Sequence, residues 1–216
     1  MPHRVFIVED HPVMREGYAS LIEAEPDLTV CGQADSAEAA FEQAEPGSYD
    51  VAIVDLSLPG VNGVELIKRL TARDRTARIL VVSAYDEALY AERVVRAGGR
   101  GYLMKHESAK RFVEAVRTVL DGRLYVSESL QATILNKELG ARGASTSALA
   151  ALTDRELEVF ESFGHGRTTR EVAEALGLSL KTIESHRANI KRKLGLEKAA
   201  EFMQRAVLWV ESPLSD

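Results

Sequence analysis

Four short apolar runs, separated by helix-length segments, each end in a polar or charged residue. The runs are 5–8, 51–54, 79–82 and 101–104, and the residues that follow them are Glu9, Asp55, Ser83 and Lys105. Unbroken apolar runs rich in Val and Ile are typical of strands buried on both faces of a parallel sheet covered by helices. With a further strand at 28–30, the pattern predicts a doubly wound, five-stranded α/β fold. We expect the strand order 2-1-3-4-5, which such folds commonly adopt.

The polar residues after these runs should lie close together. The carboxyl ends of parallel strands meet at one edge of a sheet, where ligands and chemistry collect. Glu9, Asp10 and Asp55 would repel one another there, by about several kcal/mol per close pair, unless positive charge lies among them. Lys105 and a hard cation such as Mg²⁺ would supply that charge. Alone, Asp55 could merely cap a strand or a turn, but this set favours phosphoryl transfer to Asp55 as the nucleophile.

These residues resemble the receiver domains of bacterial response regulators over about residues 4–120. The pattern Asp55-x-x-Leu58-Pro59-Gly60-x-x-Gly63 matches as well. The resemblance implies that Asp55 is the phospho-acceptor. It also implies a Mg²⁺ site and a group of switch or phosphate-binding residues. The metal would be held by Glu9, Asp10, Asp55 and the backbone carbonyl of Ser57, and the second group would be Ser83, Tyr102 and Lys105. The sequence departs from the family pattern at Glu9, where Asp is commoner, and at His106, where many relatives have proline.

Composition limits where and how the protein acts. No segment is apolar for long enough to span a membrane, and the chain reaches Glu9 too soon for a signal peptide. We therefore expect a cytoplasmic protein with no membrane partner. The net charge of -6 restricts any nucleic-acid binding to a local patch. The single cysteine, Cys31, cannot form an intrachain disulfide and is expected to be buried and inert.

The helical pattern at 12–24 is expected to turn Val13, Met14, Leu21 and Ile22 inward. Beyond residue 121 the pattern weakens, and glycines and serines indicate a linker interrupted by one helix at 127–139. We therefore predict a receiver domain at 1–121, a linker with one helix at 122–148, and an all-helical domain at 149–216.

The second domain has the pattern of a helix-turn-helix. Thr153 and Glu156 form a capping-box sequence at the start of its first helix. A short second helix ends at Gly177, and Ser179 caps a third helix that runs to about Leu194. Between residues 181 and 198 there are six Lys or Arg against two Glu, an excess of +4. Such a run is often just a solvated face, but it lies on the helix that this motif places in the major groove.

The stretch from Leu152 to Leu194 resembles the LuxR-type DNA-binding domain, and with a receiver it resembles the NarL/FixJ class of response regulators. The resemblance implies contacts to DNA phosphates, which position the helix, and contacts to bases, which read sequence. The candidates for phosphate contacts are Lys181, Thr182, His186, Asn189 and Lys193, and those for base contacts are Glu184, Ser185 and Ala188. His186 could equally be an interior helix residue. The last helix, at 197–210, would pair with its copy in a dimer or pack on its own domain.

The sequence therefore predicts a DNA-binding response regulator of a two-component system, without enzyme activity. A sensor histidine kinase would phosphorylate Asp55, and this would switch homodimerisation, binding to double-stranded promoter DNA and transcription. The alternative is a phosphorylation-independent transcription factor with a receiver-like domain. A phosphatase with an aspartyl nucleophile is a third class, but such hydrolases usually carry a second Asp where this chain has Ser57.

Overall fold

A computed structural model describes residues 1–85, 87–128, 130–132 and 148–211. The chain divides into two compact units, Met1–Ala141 and Arg142–Asp216. No helix within the described ranges is long and apolar enough to cross a membrane.

The first unit is a parallel sheet with flanking helices. Its strands lie in the order β2-β1-β3-β4-β5, as predicted. They are β1 (His3–Val8), β2 (Leu28–Ala34), β3 (Val51–Val54), β4 (Ile79–Ser83) and β5 (Gly101–Met104). The helices are α1 (Pro12–Glu23), α2 (Ala37–Gln43), α3 (Gly63–Arg73), α4 (Glu87–Arg96) and α5 (Ala109–Leu120).

The register of the strands brings the polar residues after them to one edge. β1 and β3 pair in step from Val5 with Val51 to Val8 with Val54. Beyond these pairs the backbone N–H of Asp55 donates to the carbonyl of Val8 at 2.9 Å, and that of Lys105 donates to Ser83 at 2.8 Å. All four residues of β3 are buried, as expected for a strand covered on both faces.

Two burial predictions in this unit are wrong. Val13 is 82% exposed, and the inward stripe of α1 is carried by Tyr18 and Ile22, which lie four residues apart on one face. Cys31 is exposed. The cause is a bulge, because Val5 pairs with Val30 and Phe6 pairs with Gly32, which leaves Cys31 as the extra residue of β2.

The chain after α5 continues to pack on the sheet. Tyr125 forms an isolated parallel bridge with Gly101, and its carbonyl accepts the backbone N–H of Tyr102 at 2.7 Å. Val126 and Leu130 are buried, and the Ser127 backbone N–H donates to Glu87 Oε1 on α4 at 2.8 Å. The start of the predicted linker therefore packs against β5 and α4. Residues 128 and 130–132 are helical, and the rest of the helix predicted at 127–139 lies outside the described residues.

The second unit is helical. A 3₁₀ turn (Ala148–Ala151) precedes α6 (Asp154–Gly164), α7 (Thr169–Ala175), α8 (Leu180–Leu194) and α9 (Ala199–Glu211). The predicted capping box of Thr153 and Glu156 is present, and Ser179 caps α8. Gly195 ends α8 with φ of +66°, a left-handed conformation that glycine adopts without strain. Apolar residues of α6 and α7, with the residue that follows α7, form the buried face of these helices: Leu157, Val159, Phe160, Phe163, Val172, Ala173 and Leu176.

Candidate functional site

Four side chains after β1 and β3 converge on one small volume. One ligand atom from each of Glu9, Asp10, His11 and Asp55 lies within 4.8 Å of the others. Glu9 and Asp55 are each only 1% exposed, while 28% of the Asp10 side chain is exposed. The site therefore contains two buried carboxylates, Glu9 and Asp55, and a third, Asp10, that is partly exposed.

Lys105 joins the two buried carboxylates. Its Nζ lies 2.9 Å from Asp55 Oδ2 and 2.8 Å from Glu9 Oε2. Burial raises the pKa of Asp55 above its ordinary value. The Lys105 ammonium opposes that rise, and the nearby Glu9 adds to it. Burial acts to lower the pKa of Lys105, but the two carboxylates outweigh it and keep the lysine charged.

The other oxygen of Asp55 has the character of a ligand atom. Among the residues that the structure describes, none forms a hydrogen bond with the buried Oδ1. A buried carboxylate oxygen without a donor is unfavourable. A hard cation with oxygen ligands would satisfy it, and Glu9, Asp10 and Asp55 form a donor set that fits such an ion.

His11 is a site residue that sequence reasoning missed. Its Nδ1 lies 2.8 Å from Asp10 Oδ1 and 3.1 Å from Glu9 Oε1. The imidazole thus contacts both residues of the acidic pair, and 64% of its side chain is exposed. The sequence signal that could have identified His11 is its position directly after the acidic pair, Glu9 and Asp10.

The loop after Asp55 is fixed by local contacts. Leu56 and Leu58 are buried and anchor it to the core. Gly63 donates its backbone N–H to Leu56 at 3.0 Å. A Cβ on Gly63 would meet the Asp55 carbonyl and would lie 2.7 Å from the Leu56 Cα, so only glycine fits. Asn62 then caps α3 by accepting the Glu65 backbone N–H at 3.0 Å.

Ser83 and Tyr102 meet through one backbone segment. Ser83 is fully buried, and its Oγ accepts the backbone N–H of Tyr85 at 3.2 Å. Tyr102 is 2% exposed, and its hydroxyl donates to the Tyr85 carbonyl at 2.7 Å. The structure thus brings Glu9, Asp10, Asp55 and Lys105 together. It places the two switch candidates, Ser83 and Tyr102, against the backbone of Tyr85. Ser57 is partly buried in the loop after Asp55, and the role of its carbonyl stays a prediction.

In the second unit, α8 has one exposed polar face. Lys181, Glu184, Ser185 and Ala188 are exposed, and their spacing of three and four residues places them together on the helix. Ile183 and Ile190 are fully buried on the opposite side. The residues predicted to contact bases therefore share a solvent-facing surface.

The residues predicted to contact phosphates differ in their exposure and in their side-chain contacts. Lys181 is exposed and Thr182 partly buried at the start of α8, while Asn189 Oδ1 accepts a hydrogen bond from Arg192 at 3.0 Å. Lys193 Nζ lies 2.5 Å from the buried Glu156 Oε2. His186 is partly buried. Its pKa is lowered by burial and by Arg155, although Glu156 acts in the opposite direction.

The basic excess of +4 is not all directed to solvent. The Arg187 guanidinium lies 5.0 Å from the ring centre of Phe163 and 5.4 Å from that of Phe202. Lys191 donates to the Glu197 carbonyl. Part of the positive charge of α8 therefore stabilises the helical unit itself.

A parallel sheet with a buried aspartate beside a lysine, in one chain with a helix-turn-helix unit, defines a receiver-containing regulator. The sequence matches the family described as response regulator receiver domain over residues 5–117. It matches bacterial regulatory proteins of the luxR family over residues 150–206. The chain therefore belongs to the two-component response regulators with a LuxR-type DNA-binding domain, the NarL/FixJ family.

Known proteins are similar to all or part of this chain. The Fimbriae Z protein of Salmonella typhimurium is 32% identical over 205 residues, which are 95% of this chain and 96% of that protein. A LuxR-family two-component response regulator from Aurantimonas sp. SI85-9A1 is 31% identical, with a TM-score of 0.58, and covers 64% of this chain and 99% of its own. RcsB from Salmonella enterica serovar Typhimurium, bound to promoter P1flhDC with the phosphomimetic BeF3-, has a TM-score of 0.64. It is 23% identical over 95% of this chain and 98% of its own, so this similarity shows the fold alone.

Proposed function

We propose that this protein is a phosphorylation-controlled transcription regulator, not an enzyme, and that Asp55 receives the phosphoryl group from a sensor histidine kinase. The observation that carries the proposal is the environment of Asp55. One of its oxygens is held by Lys105 at 2.9 Å, and the other has no hydrogen-bond partner among the described residues. A nucleophile with one free oxygen beside a fixed positive charge suits attack on phosphorus.

The reaction needs few further groups from the protein. The Asp55 carboxylate would form the new O–P bond while the P–N bond of the donor phosphohistidine breaks and the imidazole leaves. Glu9, Asp10 and Asp55, with the Ser57 carbonyl, would hold Mg²⁺, whose charge offsets that of the transferred group. Lys105 would then pair with the acyl phosphate, and Ser83 would donate to one of its oxygens.

Phosphorylation adds a charge of about -1.5 to -2. That charge acts only through contacts that differ between two states of the receiver. Ser83 and Tyr102 both bond the Tyr85 backbone, so movement of Ser83 toward the phosphoryl group would disturb the segment that also holds Tyr102. This supports Ser83, Tyr102 and Lys105 as the switch residues.

The output would be DNA binding through α8. Lys181, Thr182, His186, Asn189 and Lys193 are proposed to contact phosphates, and Glu184, Ser185 and Ala188 are proposed to face the bases of a promoter. Exposure of Leu208 to 53% on α9 supports pairing of that helix with a second copy. A homodimer would bind two half-sites about one helical turn, or a multiple of it, apart.

Intact mass after incubation with Mg²⁺ and a small phosphodonor tests the proposal. The wild type is expected to gain one phosphoryl group and to shift toward a dimer in sizing, and Asp55→Asn is expected to do neither. Asp121→Asn, which changes an exposed aspartate of the same unit, should behave as the wild type.

A folded wild type without an adduct would contradict the proposal and favour a phosphorylation-independent factor. An adduct that persists in Asp55→Asn would move the acceptor to another residue.

A further inference from the structure

Glu184 is an acidic side chain on the face of α8 that is proposed to meet DNA. It is the fifth residue of that helix, in the half that reaches base edges when such a helix enters the major groove. Its side chain is 57% exposed. A carboxylate at this position is unexpected, because DNA phosphates repel it.

Two residues hold the Glu184 carboxylate in place. Arg187 Nη1 donates to its Oε1 at 2.9 Å, and Thr169 Oγ1, at the start of α7, donates to the same atom at 3.3 Å. Arg187 is itself anchored, since only 20% of its side chain is exposed and its guanidinium lies against Phe163 and Phe202. The carboxylate is therefore attached to the core of the unit through a rigid cation.

This arrangement reduces the electrostatic repulsion between the Glu184 carboxylate and the DNA phosphates. The ion pair of Glu184 and Arg187 carries no net charge, so the phosphates repel it less than they would repel a lone carboxylate. Both hydrogen bonds from the described residues fall on Oε1. Oε2 is thus left to accept a hydrogen bond from the groove, from a side chain whose orientation is already fixed.

The neighbours of Glu184 leave room for a base. Ala188 lies one turn further along the same face and has only a methyl group. Ser185 Oγ donates to the Lys181 carbonyl at 2.9 Å, so its hydroxyl is turned back toward the helix. Of the three residues predicted to contact bases, Glu184 is the one whose side chain both extends outward and is positioned by others.

The hydrogen-bonding properties of a carboxylate determine which base it can recognise. An ionised Glu only accepts hydrogen bonds. The amino donors in the major groove are cytosine N4 and adenine N6, but adenine carries the acceptor N7 beside its amino group, which repels a carboxylate. We propose that Glu184, positioned by Arg187 and Thr169, reads a cytosine in each half-site of the operator. The inference rests on the proposed function, in which α8 enters the major groove.

Selection from a pool of randomised DNA duplexes tests this inference. The full-length wild type, treated with Mg²⁺ and phosphodonor, is compared with Glu184→Gln and Thr169→Val. The wild type should select a cytosine at one position per half-site, preferred by about 5- to 150-fold over other bases. Glu184→Gln should lose that preference or replace it with adenine, which glutamine pairs with. Thr169→Val should weaken the preference less, and every other selected position should stay unchanged.

Glu174→Gln is the matched control. Glu174 is also exposed and paired with an arginine, Arg170, at 3.0 Å, but it lies on α7 and not on α8. Its selected sequence should equal that of the wild type. Circular dichroism of each variant establishes that it is folded, and Arg187 is left intact because its removal would open the aromatic core.

Two results would overturn the inference in distinguishable ways. If Glu184→Gln binds DNA and selects the same sequence as the wild type, Glu184 is not a base-reading residue although the proposed function stands. If the wild type selects no sequence in either phosphorylation state, the proposed function and this inference both fail.

Discussion

Asp55 is a carboxylate at a position where burial opposes its charge. The pKa of Asp55 is raised by burial, although Lys105 lies beside it. Such unfavourable environments persist at functional sites because the surrounding structure holds them in place. The loop from Asp55 to Gly63 is part of that surrounding structure.

Gly63→Ala should therefore destabilise the receiver unit by about 1–3 kcal/mol. The added Cβ would collide with the Asp55 carbonyl and the Leu56 Cα, which are backbone atoms that cannot turn away. Thermal unfolding followed by circular dichroism measures the effect, and the phosphorylation assay should show reduced modification of Asp55.

Gly17→Ala is the control. Gly17 lies in α1, and an added Cβ would meet nothing within 4 Å, so alanine should stabilise the helix by about 0.5–1 kcal/mol. If Gly63→Ala were as stable as Gly17→Ala, the close packing of the Asp55 loop would be wrong.

Residues at the site differ in how far the sequence could predict them. Glu9, Asp55 and Lys105 could be found because each follows a buried strand at the same sheet edge. His11 directly follows the acidic pair and was overlooked. The role of Arg187 could not be predicted, since its contacts depend on side-chain directions that spacing does not fix. The +4 excess on α8 counted Arg187 as surface charge, whereas it packs on two aromatic rings.

At the scale of the element, α8 serves both the core of its unit and the surface proposed for DNA. His186 lies at the boundary between the two. Burial and Arg155 hold the pKa of His186 below its usual value, and Glu156 does not fully compensate. The folded unit therefore favours the neutral imidazole.

The helical unit should lose stability as the pH falls below the usual histidine pKa of about 6.5. The unfolded chain takes up a proton there before the folded unit does, so the loss continues until the pH reaches the lower folded pKa. Uptake of one proton by the unfolded chain lowers the free energy of unfolding by at most about 1.4 kcal/mol per pH unit. Urea unfolding followed by the fluorescence of Trp209, the single tryptophan, measures this unit selectively.

His186→Gln should flatten that pH dependence. His165→Gln should leave it intact, because His165 is 52% exposed at the end of α6. An unchanged pH profile in His186→Gln would show that other groups control the stability of the unit.

Helix starts were predicted well where periodicity and capping agree, as at Thr153 and Ser179. The order of the strands is the one that such folds commonly adopt. Burial was predicted poorly where tertiary contacts decide. Val13 is apolar but lies in the first turn of α1, off the stripe of Tyr18 and Ile22. Cys31 lies in an apolar stretch, but a bulge in β2 leaves it exposed, and the local sequence pattern does not predict that bulge.

At the scale of the whole molecule, each of the two units has its own buried core. Calorimetry should therefore resolve two unfolding transitions. Mg²⁺ is expected to raise only the receiver transition, since the acidic cluster lies in that unit. An ion at one hundred times its Kd adds about 2.7 kcal/mol to the unit that binds it.

Trp209 fluorescence assigns the transitions, because it follows the helical unit alone. Asp10→Asn should diminish the shift caused by Mg²⁺ while leaving the Trp209 transition in place. A Mg²⁺ shift confined to the Trp209 transition would place the ion outside the acidic cluster.

The bridge between Tyr125 and Gly101 also protects the sheet from other chains. β5 is the last strand of the sheet, and exposed strand edges are templates for aggregation. The Tyr125 carbonyl binds the N–H of Tyr102, and the Arg100 carbonyl binds the N–H of Tyr125 at 3.0 Å. A receiver shortened to end with α5 would uncover these groups, and it would be prone to strand exchange and insolubility that a fragment reaching residue 130 avoids.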